Sequence, residues 1–230
     1  MLHVARTTAQ LHDSRSLEND IFHYKSMTTP AGPIFLQDHC PPALVESLRA
    51  DRGLRAFARL PEREHALLLG LAQRSDCRLA LAYTRSREIV GQVTLAPADS
   101  WWEGLENTYE IAIEVSTAWR NLGIARQLLT LVFEREPLER HIVLGMGLSW
   151  HWDMVGLGID RFRYRQVIEQ LFASYGFVEY LTSEANIRMD PANILLGRLG
   201  SAVGQQTINQ FFQRLLQSDK LPGFLGVTYE

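Results

Sequence analysis

An α/β fold of the mixed-sheet, α+β kind, with helices flanking a central sheet, is what this sequence predicts, and three observations carry that reading. Strand-like segments come first in hairpin order and later alternate with helical ones. The hydrophobic period changes from two to about 3.6 between residues 109 and 133. The chain has 230 residues, 46% of them hydrophobic, which suffices for one ordinary core or a core with appendages.

Residues 1–27 are polar, His-bearing and weakly periodic, and are read as a mobile N-terminal extension; the domain proper is expected over residues 28–200, with a C-terminal helix and tail over 201–230. Residues 34–36 suit a short first strand. Residues 41–48 and 61–71 read as helices, each with a proline near its start, where the missing N–H costs nothing. Strands are expected over 78–83 and 88–95, joined as a hairpin by the short polar run Thr84, Arg85, Ser86 and Arg87. In the strand over 109–115, Tyr109, Ile111, Ile113 and Val115 share one face, and Glu110, Ala112 and Glu114 share the other. Ile124, Leu128, Leu131 and Val132 then recur at helical spacing until a charged run and Pro137 end the helix. A strand follows over 141–147. Tyr164, Ile168, Leu171 and Tyr175 mark a helix closed by Gly176. Strands over 177–181 and 194–199 and an amphipathic helix through Ile208, Phe211, Phe212, Leu215 and Leu216 complete the order.

The turn between the strand at 109–115 and the next helix is a helix N-terminus, with backbone N–H groups lacking intrahelical partners and with partial positive charge. Such a turn binds phosphate when the ligand can come close. Gly123 has no Cβ, Ala125 is nearly as small, and Arg120 or Arg126 can add a charge-assisted contact. An ordinary strand-to-helix turn with glycine is the competing reading of these residues alone.

The run Arg120-Asn-Leu-Gly123-Ile-Ala125 resembles the Arg/Gln-x-x-Gly-x-Gly/Ala pyrophosphate loop of the Gcn5-related N-acetyltransferase superfamily. A narrower resemblance, over about residues 28–211, is to the acetoin-utilisation protein acetyltransferases. It is carried by residues 112–115 (Ala-Ile-Glu-Val), by Trp150-His-Trp-Asp153, by Tyr164-Arg165 and by Pro191-Ala-Asn193. The resemblance implies a sheet in which the strands ending at Val115 and near Gly147 run parallel and splay apart, with acetyl-CoA in the gap. It implies that Leu122, Gly123, Ile124 and Ala125, with Arg120 and Arg126, cradle the pyrophosphate while Val115 contacts the pantetheine arm. It also implies a protein lysine acetyltransferase whose acceptor is acetyl-CoA synthetase.

Acetylating a lysine requires its neutral amine, and removing a proton from a group of pKa about 10.4 at pH 7 costs roughly 4.6 kcal/mol. Glu114, one residue before Val115, is the first candidate base; Glu110, on the same face, is the second, and His151 is the reserve. A solvated sheet face is the alternative setting for both carboxylates. Backbone N–H groups near residues 113–115 are expected to hold the thioester oxygen if the strands splay. The superfamily's usual thiolate-protonating tyrosine is Phe172 here, and an expected asparagine is Arg165, leaving Tyr164 and Tyr175 as substitutes. Trp150, His151, Trp152 and Asp153 suit either an acceptor wall or a locally anchored loop, and Trp101 with Trp102 either a partner surface or a lid on the core.

A net charge of −3 and a pI near 6.2 argue against a broad nucleic-acid surface. Cys40 and Cys77 lack metal spacing, no secretory h-region or membrane-length apolar run is evident, and a reduced cytoplasmic protein is expected. Ser149 lacks the glycine context of a hydrolase elbow, Gly156 and Gly158 lack the rest of a dinucleotide motif, and no metal is expected. Two further readings stay open: a non-catalytic acyl-CoA-binding regulatory module, and an acetyltransferase for a small-molecule amine.

Overall fold

The computed structural model of the protein describes residues 24–98, 100–135 and 138–216, so the expected extension up to residue 23 and the tail beyond residue 216 lie outside the described residues. Strand β1 (Tyr24–Thr29) pairs antiparallel with β2 (Gly32–Gln37) through a tight turn in which Gly32 takes φ +113°. Tyr24 to Met27 thus belong to the sheet and not to the extension in which the sequence reading placed them. Their signal is weak because β1 is an edge strand, its first five residues alternating only between exposed and half-buried.

Helix α1 (Pro42–Ser47), the two-residue β3 (Arg49–Ala50) and α2 (Pro61–Ala72) follow, both helices carrying proline in the first turn. The expected hairpin is β4 (Arg78–Thr84) with β5 (Glu88–Pro97). Next come β6 (Thr108–Val115), α3 (Ile124–Arg135), β7 (Ile142–Gly147), the one-turn α4 (Met154–Leu157) and α5 (Arg161–Ala173). The strand expected over 177–181 shrinks to β8 (Val178–Glu179); short α6 (Ala185–Arg188), β9 (Ile194–Leu199) and α7 (Gln205–Leu215) end the described chain.

All nine described strands join one sheet in the order β1-β2-β4-β5-β6-β7-β9-β8, with β3 alongside β5. The β3–β5 and β6–β7 pairs are parallel and the rest antiparallel. Burial on both sides of the sheet reads directly from β4, whose side chains alternate between two cores. Ala80 and Ala82 face the cluster built with Ile124, Leu128 and Leu131 of α3, whereas Leu79 and Leu81 face one built with Val45 of α1 and Leu68 of α2. A third cluster packs Trp101, Trp102 and Phe211 of α7 against β7 and β9. Trp101 donates from Nε1 to the Arg214 carbonyl at 2.9 Å, so these tryptophans cover a core and do not form a partner surface.

Position for the site comes from the parallel pair. β6 and β7 are in register only from Thr108 with Ile142 to Glu110 with Leu144. Beyond that point β6 stays paired with β5 as far as Val115, and β7 with β9 as far as Gly147. The two strands therefore part, each keeping its outer neighbour.

Helix α3 is tied to the sheet by a buried ion pair. Arg78 donates from Nε to both Asp38 oxygens, at 3.0 and 3.1 Å, and from Nη2 to the Val132 carbonyl of α3 at 2.9 Å. Burial alone would raise the Asp38 carboxyl, but hydrogen bonds and charge from His39 and Arg78 outweigh it and bring the group down to about 2. Replacing Arg78 by methionine strands a buried carboxylate and should cost roughly 3–5 kcal/mol in urea unfolding. Because the Asp38 carboxyl is held below its ordinary 3.8, the wild type should lose this stabilisation as pH falls from about 4 toward 2, and the variant should lack that dependence.

Candidate active site

A cleft of about 530 Å³ opens where β6 and β7 part, lined by Ile111 to Val115 on one wall and Gly145 to Leu148 on the other. The start of α3 forms its end, through Gly123, Ile124, Ala125 and Arg126. The helix's first backbone bond runs from the Gln127 amide to the Gly123 carbonyl at 3.1 Å, and among the described residues the amides of 123–126 donate to no protein acceptor. Gly123 sits at φ +79° with nothing within 4 Å of where a Cβ would stand, a conformation that strains any other residue. Asn121, at φ +62° and also on the cleft wall, is a second left-handed residue in the turn. Left-handed residues in a turn before a helix gather N–H groups into an anion-binding concavity, and asparagine tolerates that conformation well enough to be legible in hindsight.

The two arginines divide. Arg120 turns back, donating from Nε to the Val115 carbonyl at 3.1 Å and from Nη1 to Asp153 at 2.8 Å. Burial works against the Asp153 carboxylate, but the Gly156 amide, the Thr117 hydroxyl and Arg120 hold it below the ordinary range. The Arg120 side chain is thus a brace between the end of β6 and α4, not a free phosphate ligand. Arg126 is the exposed one, with a 3.3 Å contact from Nη1 to the Ser174 hydroxyl. Leu122 packs into the core beneath α3 and does not line the cleft.

Glu114 is buried, at 6% exposure, and not on a wet face. Residues 55–58, between β3 and α2, fold over it: its Oε1 accepts from the amides of Arg55 at 2.8 Å and Ala56 at 2.9 Å. Gly53, earlier in the same loop, lies so close to Ser116 that a Cβ would stand 2.3 Å from the hydroxyl oxygen, and Asp51 bonds that hydroxyl. The loop is therefore docked on the end of β6. The other oxygen, Oε2, is buried and has no partner among the described residues. Burial, aided by the charge of Glu64, pushes the carboxyl up to about 7, against the two amides and Arg120. Glu110 lies at the end of β6 that still pairs with β7 and does not reach the cleft.

His151 does line the cleft, its Nδ1 2.7 Å from the Ala56 carbonyl and its ring tilted against Phe57. Trp152 lines it too and stacks on Tyr164 at 5.1 Å and 4°. Trp150 is exposed. The turn over Ser149–His151 is held by Asn193, which accepts from the Ser149 amide at 2.7 Å and donates to the Asn186 carbonyl at 2.7 Å. Asn193 is thus given a structural task that spacing alone did not reveal.

Of the phenols, Tyr164 of α5 lines the cleft, and burial above all keeps its hydroxyl protonated, with Arg120 opposing and Asp153 and Glu114 adding to the effect. Tyr175 lies elsewhere, donating to the Arg126 carbonyl at 2.7 Å and stacking on Phe133. Phe172 is buried edge-on against Phe177 at 5.0 Å, and Arg165 pairs with Glu179 at 2.7 Å.

Residues 43–142 match the Acetyltransferase (GNAT) family. Two relatives named acetoin utilization protein AcuA, from Bacillus subtilis (strain 168) and Bacillus licheniformis, are 32% and 31% identical over 195 residues, covering 83% of this chain and 92% of each relative. A crystal structure of an acetoin utilization protein from Exiguobacterium sibiricum superposes with a TM-score of 0.79 at 28% identity, over 84% of this chain and 93% of that one. A sheet parted between β6 and β7, a nest of free amides at the start of the following helix and a match in sequence over most of both lengths agree: the chain belongs to the AcuA group of the GNAT acetyltransferases and is an N-acetyltransferase.

Proposed function

We propose that the protein is an acetyl-CoA-dependent lysine acetyltransferase acting on a folded protein, acetyl-CoA synthetase being the first candidate acceptor, with Glu114 as general base. The observation that carries this reading is the buried, unpartnered Oε2 of Glu114 in a cleft that ends at the free amides of α3.

The cleft fits the cosubstrate. Amides 123–126 suit a pyrophosphate, and the β6 edge released by β7 offers backbone groups to an amide-bearing arm. Acetyl-CoA, when bound, supplies the acetyl group as an activated thioester. Glu114 Oε2 takes the proton of the incoming ammonium, leaving a neutral amine to attack. Backbone N–H groups near residues 113–115 hold the oxygen that gains negative charge. The protonated Tyr164 hydroxyl donates to the departing thiolate, in place of the tyrosine that Phe172 replaces. This phenol in the cleft favours catalysis over a purely binding module. His151 serves through its bond to the Ala56 carbonyl, keeping the loop on Glu114.

A protein acceptor is supported by the rim. Trp150, Val155 and Phe162, from the turn before α4, from α4 and from α5, are 45, 94 and 47% exposed beside the cleft residues His151, Trp152 and Tyr164. No described helix is long and apolar enough to cross a membrane, and both described cysteines are free thiols; these observations support a cytoplasmic setting.

Incubation with labelled acetyl-CoA and acetyl-CoA synthetase should place label on a lysine, and unlabelled acceptor after prolonged incubation would remove this acceptor from the proposal. A base must be deprotonated to act, so kcat/KM should rise with pH through about 7, where Glu114 titrates. Glu114→Gln keeps an oxygen for the Arg55 and Ala56 amides; it should lower kcat/KM roughly 10²–10⁴-fold and abolish that rise. Tyr164→Phe should lower kcat about a hundredfold while leaving KM for acetyl-CoA little changed. Valine at Gly123 cannot hold φ +79° without strain, and the Kd of acetyl-CoA in calorimetry should weaken by roughly tenfold or more.

A further inference from the structure

Among the described residues, Glu64 is a buried carboxylate beside the loop that covers Glu114, and the reaction just described leaves it unused. It lies in the first turn of α2 and is 0% exposed. Its Oε2 accepts from the Ala58 amide at 2.8 Å, closing the far end of the loop whose near end Glu114 grips through Arg55 and Ala56. The Phe57 amide also lies near enough to favour the charged carboxylate, but the hydrogen bond from Ala58 engages one oxygen. The other, Oε1, is buried with no partner among the described residues. A carboxylate that merely caps a loop leaves its spare oxygen in water, because burying an unpaired anion is costly. Two buried carboxyls, each with one oxygen on the same four-residue loop and one oxygen orphaned, are arranged as a pair in which a proton on one permits charge on the other.

We infer that Glu64 is a positioning residue for transfer: from α2 it clamps residues 55–58 over β6, and its carboxyl, coupled to that of Glu114, sets when Glu114 is free to accept the lysine proton. The groups facing this pair are known. Arg120 and Tyr164 face Glu114, with Asp153 behind Arg120, and His151 faces Glu64 from across the loop. Burial pushes the Glu64 carboxyl up, while the Ala58 and Phe57 amides and His151 pull it down. Glu64 in turn raises Glu114. A negative charge on Glu64 therefore makes Glu114 a better proton acceptor, and neutralising Glu64 makes it a weaker one that is deprotonated at lower pH. No atom of Glu64 need touch substrate.

This inference rests on the reading of Glu114 as base, but its test does not require turnover. The full chain, with glutamate side-chain carboxyls labelled with ¹³C, would be titrated by NMR as wild type, Glu64→Gln and Glu114→Gln. Each variant identifies its own resonance by the signal it removes. In Glu64→Gln, which keeps an oxygen for the Ala58 amide, the Glu114 midpoint should fall by on the order of one pH unit. Glu64 loses its proton first, while Glu114 is still neutral, so in Glu114→Gln the Glu64 midpoint should stay near its wild-type place; Glu64→Met, uncharged and of similar length, gives a second reading of the Glu114 midpoint if Glu64→Gln does not fold. Where transfer is measurable, the acid limb of kcat/KM in Glu64→Gln should move to lower pH with the Glu114 midpoint, whereas Glu64→Ala, which also releases the loop, should lower kcat/KM at every pH. A Glu114 midpoint unmoved in both Glu64→Gln and Glu64→Met would overturn the coupling. A moved midpoint with normal transfer in Glu114→Gln would instead leave the coupling standing and remove Glu114 as base.

Discussion

Everything that makes this sheet a site depends on the parting of β6 from β7 after Glu110 and Leu144. A parallel pair of strands ordinarily satisfies both backbones along its full length, and freeing one edge of each leaves N–H and C=O groups that need another partner. The fold tolerates the parting because β5 and β9 continue to hold the outer edges to Val115 and Gly147. Gly145 and Gly147 keep the β7 wall low, and α3 starts where β6 ends, so free edges and free helix amides face one cleft. The shape and the polarity of the cleft both follow from that single geometric fact.

The second constraint is the cost of holding Glu114 there. Raising its carboxyl from 4.5 to about 7 corresponds to roughly 3 kcal/mol of unfavourable ionisation in the fold. The sign is that of a raised acid: the stabilising contribution is complete below the unfolded pKa and fades as pH rises from about 4.5 through 7. Near neutrality Glu114 is therefore a carboxylate close to its own midpoint, which is the condition the proposed base needs to accept a proton from an ammonium. The Arg55 and Ala56 amides limit the cost by solvating one oxygen and leave the other without a partner among the described residues.

Period and punctuation made the sheet order, the β4–β5 hairpin and the turn into α3 legible, since each rests on residues close together in the chain. The two-residue strands β3 and β8 and the edge strand β1 were not, because a strand with little to bury leaves no period. The same boundary separates what was readable in the site. Gly123 announces its left-handed backbone, and Glu114 announces its place beside Val115. That Glu114 is dry depends on a loop some sixty residues earlier, and that Arg120 is tied to Asp153 at the cleft wall depends on where α4 begins. Long-range burial of polar groups has no local signature, which is also why nothing in the sequence around Glu64 marks it as buried.

Packing around position 172 departs from the family pattern, and Tyr164 is the phenol that the cleft holds. Position 172 is 3% exposed and pressed edge-on against Phe177 inside the cluster beneath α3. Position 172 also touches the cleft wall, but its phenyl ring brings no hydroxyl to it. Tyr164 does. It stands two turns earlier on the same helix, its ring stacked on Trp152 and its body in the cleft, with the Arg120–Asp153 brace close enough to perturb its titration. The stack itself is possible because Asn193 fixes the turn that delivers Trp152, and because Gly147 leaves room for that indole: a Cβ at Gly147 would lie 3.4 Å from its ring. Phe172, Tyr164, Trp152, Asn193 and Gly147 thus form one packing solution, and a change at any one of them acts on the phenol through the others.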